Sequence, residues 1–146
     1  MTPSTPPRPG RHRLDDAQDP TDPSGLRRTS LWVPVEDLNR LLLHSRWKFH
    51  NLHTAYEVLR RPERIYLGIR DSREEERSGW CFVGRPEKLR NAENLNYARP
   101  TGSLFLVFVY ENGDVAEWRL ESADPTDPLA PATSDVRFGR LQWRKA

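Results

Sequence analysis

Apolar residues recur at helical spacing early in the chain and at every second position later. Val35, Leu38, Leu41 and Leu42 lie three or four residues apart, behind Pro34 and with Glu36 and Asp37 in the favourable first turn, and predict a helix. A second helix is predicted from a cap at Asn51, with Leu52, Ala55, Tyr56 and Leu59 in one stripe and Pro62 as its stop. The period then drops to two. "RIYLGIR" sets Ile65, Leu67 and Ile69 against Tyr66, Gly68 and Arg70, and "GWCFVG" at 79–84 follows the charged loop "DSREEERS" as a second strand. After a polar stretch at 85–102, "SLFLVFVYENGDVAEWRLES" at 103–122 predicts two strands joined at Asn112-Gly113, a pair favoured in two-residue hairpin turns. The order predicts an α+β fold, with one or two N-terminal helices on one face of a four-stranded antiparallel sheet.

A two-residue turn at Asn112-Gly113 would set Tyr110 opposite Val115. Phe105, Val107, Val109, Ala116, Trp118 and Leu120 would then share a wholly apolar face, turned to the helices. The other face would carry Leu104, Leu106, Phe108 and Tyr110 beside Val115, Glu117, Arg119 and Glu121. Two accounts fit that mixed face. Either 85–102 or the C-terminal "RFGRLQW" covers its apolar row, or the face is open and stacks a flat ligand among placed charges.

Composition changes the picture at the ends. Residues 1–30 hold six prolines, and 122–135 are similarly polar and Pro-rich. Segments with so little apolar area to bury are expected to be disordered. The expected organisation is a disordered tail at 1–30, one α+β domain at 31–122, and a linker with a basic tail at 123–146. The pentapeptide Asp-Pro-Thr-Asp-Pro, at 19–23 and again at 124–128, implies no structural repeat.

Net charge is +2, yet only Lys48, Lys88 and Lys145 of the 23 basic residues are lysines. Arginine's planar fork suits bidentate contact with phosphate or carboxylate. Cys81 is the only cysteine, which fits a reducing compartment, and no secretory signal or membrane-length apolar run is present. The expectation is a soluble, cytoplasmic protein.

His50 and His53 form an H-x-x-H pair, but no third ligand is placed and H-E-x-x-H is absent, so no metal or other cofactor is expected. His53, off the apolar stripe and one turn before Glu57, is either a solvated polar residue or a general acid or base. Cys81, between Trp80 and Phe82, reads as a small buried hydrophobe. Arg77, just before the second strand, is the member of the charged loop best placed to reach the sheet.

The succession "HTAYEVLRRPERIYLGIRDSREEER", "GWCFVG" and "LFLVFVYENGDVAEWRLESA" resembles the small ribonuclease toxins of the BrnT and RelE kind, within the wider barnase-like assemblage. The resemblance covers about 46–124. It implies helices before a four-stranded sheet, with the site on the face away from them, and metal-free endonucleolytic cleavage of RNA. On that reading Arg119 stabilises phosphorane charge, and Glu117 or His53 acts as base. Arg77, His50 and Glu121 contact substrate, while Phe108 and Tyr110 stack a base. The implied partners are RNA and a cognate inhibitor or antitoxin protein; neither DNA nor a membrane is expected. The chain departs from the family at Asp124, where an arginine is expected, at the 85–102 insertion, and in its Pro-rich C-terminal region. The alternative is a non-catalytic module that binds protein or RNA on the same face. Five tryptophans, including Trp143 beside Arg140, Arg144 and Lys145, are compatible with it.

Overall fold

The computed structural model describes residues 9–34, 52–71, 75–85, 104–121 and 136–146, without the side chains of 52–54, 104 and 117–121. It holds seven strands: β1 (Arg11–Gln18), β2 (Arg28–Pro34), β3 (Arg64–Asp71), β4 (Glu76–Gly84), β5 (Leu104–Tyr110), β6 (Val115–Glu121) and β7 (Val136–Arg144). One helix, α1 (Leu52–Arg60), is seen among the described residues. β1 and β2 pair as an antiparallel hairpin, and the other strands form an antiparallel sheet in the order β6-β5-β4-β3-β7.

The expected α+β fold is therefore corrected to a mostly β architecture. The four predicted strands form an up-and-down meander, as their period-two pattern demands, but β7 adds a fifth at the free side of β3. Among the described residues, the layer over the sheet is the β1–β2 hairpin with α1 beside it. The predicted first helix lies outside the described residues. The N-terminal region, expected to be disordered, holds two strands because its few apolar residues fall where they can be buried. Leu14, Ala17, Leu31 and Val33 join Ala55, Val58 and Leu59 of α1 over Ile65, Phe82, Phe105, Val107 and Val109 of the sheet.

α1 docks on β1 through the Tyr56 hydroxyl, which donates to the Asp15 carbonyl, and through Arg60 and Asp16, 3.4 Å apart. Asp16 takes φ 67° where the β1 register shifts between Leu14 and Ala17, a left-handed position that aspartate tolerates better than most residues. At the same C-terminal end of the helix, Arg28 of β2 donates to the Arg60 carbonyl at 2.6 Å. β2 also reaches the sheet's far edge, where the Trp32 amide donates to Gly113 at 2.9 Å. Arg11 holds Asp114 there with a two-pronged ion pair at 3.0 and 3.1 Å, which raises its already high pKa, the hydrogen bond contributing most.

The first Asp-Pro-Thr-Asp-Pro copy forms the β1–β2 loop. Asp19 accepts from the amide and hydroxyl of Thr21, and Asp22 from the amides of Ser24 and Arg27. These are the side-chain-to-backbone turns that Asp favours. Burial pushes the Asp19 carboxyl up, but hydrogen bonds from Thr21 and Arg27 outweigh it and hold the group below the usual range. The Arg27 amide, then Ser24, lowers Asp22 likewise. A carboxyl depressed in the fold contributes stability that is complete above its unfolded value of about 3.9 and is lost as pH falls through the folded value. In an NMR titration at pH values below about 3.9, the Thr21 amide resonance should therefore follow Asp19, and those of Ser24 and Arg27 should move together with Asp22. No movement, or separate movement of Ser24 and Arg27, would contradict this account of the loop.

Candidate functional site: the outer face of the five-stranded sheet

Strand alternation divides the sheet between the inner face, turned to α1 and β1–β2, and an outer face. The outer face carries Arg64, Tyr66, Gly68 and Arg70 from β3, and Arg77, Gly79 and Cys81 from β4. Tyr66 pairs with Cys81, Gly68 with Gly79, and Arg70 with Arg77. Leu106, Phe108 and Tyr110 of β5 join them, as do Val136 and Phe138 of β7.

The middle of this face is packed. Cys81, Leu106 and Phe108 are fully buried, so Phe108 is placed as a core residue and not as an open stacking platform. Two glycines make room for its ring. A Cβ built on Gly68 would lie 3.1 Å from one ring edge of Phe108, and one built on Gly79 would lie 3.0 Å from the opposite edge. Cys81 is a buried free thiol, as its apolar setting between Trp80 and Phe82 predicts.

Beyond Phe108, its ring packed edge-on at 5.6 Å between centroids, stands Tyr110, half-buried. Two arginines converge on Tyr110. The Arg77 guanidinium lies over its ring, 3.7 Å from the centroid, and Arg70 donates to its hydroxyl at 2.7 Å. A cation on a tyrosine face gains roughly 0.5–2 kcal/mol depending on desolvation. The arrangement repeats on β3, where Arg64 donates to the Tyr66 hydroxyl at 2.9 Å and lies 5.7 Å from its ring centroid. Phe138 of β7 packs against Tyr66 at 5.3 Å.

Like charges set directly across a ladder repel. Arg70 and Arg77 occupy such a pair, and Tyr110 orients both. Arg77 has Glu75 at 3.7 Å, a long contact with a carboxylate more than half exposed. An anion placed between the two guanidinium groups would relieve the repulsion and accept from both forks.

Of the residues singled out in the sequence, Arg77 and Tyr110 are brought together and Phe108 is beneath them. Glu117, Arg119 and Glu121 lie in β6 at register positions opposite Phe108, Leu106 and Leu104; their side chains are not described. His53 falls in the first turn of α1, also without a described side chain, and His50 lies outside the described residues. Sequence reasoning missed Arg64, Tyr66, Arg70 and Phe138. The signal for the first three was present, since Arg64, Tyr66, Gly68 and Arg70 are the alternate positions of "RIYLGIR".

The β5–β6 turn differs from its predicted form. Tyr110 donates its amide to Asp114 and accepts from Gly113, both at 2.9 Å, which makes a three-residue loop with Gly113 at φ 92°. A bulge between Phe108 and Val109 then restores the predicted pairing from Phe108 outward. Consequently Val115 packs in the inner core and Ala116 against the outer cluster, the reverse of the two-residue-turn expectation.

No helix among the described residues is long and apolar enough to cross a membrane. No family model matches the chain, and comparison with curated proteins and with solved structures likewise gives no match.

Proposed function

We propose that the protein binds single-stranded RNA on the outer face of its five-stranded sheet. The observation that carries this reading is the convergence of Arg70 and Arg77 on Tyr110 from directly opposed strand positions. Two oriented guanidinium groups suit a backbone phosphate, and a half-exposed tyrosine beside them suits an unstacked base. Arg64 with Tyr66 offers a second phosphate and base position on the same face.

The test is RNA binding measured against salt. Each phosphate neutralised on a single strand contributes about 0.7 to the slope of log affinity against log salt concentration. Arg77→Ala should therefore weaken binding of an unstructured oligonucleotide and flatten the slope by about 0.7, with the melting temperature little changed. Binding that is salt-independent, or that survives loss of both Arg70 and Arg77, would end the proposal.

A second reading adds catalysis, favoured by the register that sets Glu117 opposite Phe108 and Arg119 opposite Leu106, with β5 between them and the arginine pair. In it, RNA held by Arg70 and Arg77 is cleaved without a metal: Glu117 takes the proton of the 2′-hydroxyl, the 2′-oxygen attacks the adjacent phosphorus, and the 5′-oxygen leaves with a proton from solvent. His53 drops out as the base, because α1 packs on the inner face, across the sheet from the arginine pair. Incubating RNA with the protein in excess chelator, beside Arg119→Ala, separates the readings: cleavage by wild type alone supports catalysis, and intact RNA leaves binding.

A further inference from the structure

A cavity of about 310 Å³ opens on the other side of the molecule, between the β1–β2 loop and the β5–β6 turn. Trp32 and Trp80 stand in its wall, with Asp19 and Glu111 at its rim. Trp32 is buried, its backbone amide donating to the Gly113 carbonyl, while Trp80 is half-buried on the inner face. Asp19 is oriented by Thr21 and Arg27. Glu111 is exposed, and its carboxylate makes no hydrogen bond or ion pair among the described residues.

The lining holds no lysine, arginine or histidine among the described residues, in a chain with 23 basic side chains. The half-exposed Trp80 indole and the exposed Glu111 carboxylate beside a small concavity disfavour an anion. Tryptophan is the aromatic side chain that attracts a cation most strongly, and methylated ammonium groups, weakly hydrated and apolar on their surface, use this attraction best. The volume, at the low end for ligand pockets, suits a molecule of choline size.

We propose that this cavity binds a small, soluble trimethylammonium compound, with Trp80 against its methyl groups and Glu111 balancing its charge. The site is on the face opposite the arginine pair, so the proposal stands or falls independently of RNA binding.

The test compares choline with 3,3-dimethyl-1-butanol, which has the same shape with carbon in place of the charged nitrogen. Choline should shift the intrinsic tryptophan emission and raise the melting temperature, and should bind roughly tenfold more tightly than the neutral alcohol. Glu111→Gln, on an exposed turn and so expected to fold, should weaken choline several-fold and leave the alcohol unchanged. Trp80→Phe should weaken choline as well. Equal binding of the two compounds overturns the proposal, as does the absence of any response to choline at tens of millimolar. Retention on phosphatidylcholine vesicles without a response to free choline overturns the soluble ligand in favour of a lipid headgroup.

Discussion

Gly79→Ala is expected to destabilise the fold by about 3 kcal/mol, a fall in melting temperature of roughly 10 °C for a chain of this size. The added methyl would lie 2.1 Å from the Val109 carbonyl oxygen and 2.9 Å from its carbon. Those atoms are backbone in the neighbouring strand, so no side-chain rotation can relieve the contact. Gly79 pairs with Tyr110 on one side and with Gly68 on the other. Separating β4 from β5 to admit a methyl would therefore disturb the ladder next to the Arg70–Tyr110–Arg77 cluster. RNA affinity should fall along with stability, unlike the case of Arg77→Ala, and the two variants together distinguish damage to the sheet from loss of one charge. A thermal scan of Gly79→Ala within 2 °C of wild type would mean that the strands close more loosely there than the structure has them.

Phe108→Ala acts on the same place from above. The Phe108 ring, fully buried, fills the hollow left by Gly68 and Gly79 and stands beside Cys81, its partner across the ladder. Truncating a buried phenylalanine typically costs about 3–5 kcal/mol, because neighbours collapse only partly into the space. Here collapse is further limited, since two of the neighbours have no side chain to move. The cavity should also open a route to the Cys81 thiol, which is fully buried in the native protein. Reaction of that thiol with an aromatic disulfide reagent under native conditions should thus be much faster in Phe108→Ala than in wild type. Denaturant unfolding and thiol titration on one sample test both parts. A loss below about 1 kcal/mol, with the thiol still unreactive, would show that something else fills the hollow.

The parts of this fold legible in the sequence are those where local pattern and tertiary role agree. β3 alternates, β4 and β5 are short apolar runs buried on both faces and bounded by turn residues, and α1 shows its stripe at Ala55, Tyr56 and Leu59 and ends before Pro62; its predicted cap, Asn51, lies outside the described residues. The β5–β6 pairing was legible from Phe108 outward because the bulge cancels the extra turn residue, while the residues between, Val115 and Ala116, changed faces. β1 and β2 were hidden by composition. "RHRLDDAQ" buries little beyond Leu14, Ala17 and Gln18, and two of the six prolines that suggest disorder, at 20 and 23, lie in the loop, where they serve a turn. β7 was hidden by charge: "VRFGRLQWR" reads as a basic tail, although Val136 and Phe138 alternate with Arg137, which crosses to Asp71 and Glu76 at 3.4 and 2.6 Å. Of the candidate site, Arg77 and Tyr110 were legible as single residues. Their meeting with Arg70 was not, because it depends on which strand lies beside which.

The strand order carries a consequence for synthesis. β3 finds its first neighbour, β4, as soon as the adjoining segment leaves the ribosome, but its other neighbour, β7, must wait for β4, β5 and β6 to be made. During that interval β3 presents a bare row of amides and carbonyls, beside an outer face whose phenylalanines and tyrosines are only partly covered. Such an edge is a template for pairing with a second nascent chain. Arg64 and Arg70, spaced along that same strand, also keep two like charges on the waiting edge. The arginines that hold the tyrosines in the finished molecule would then repel the edge of a neighbouring copy while the chain is still incomplete.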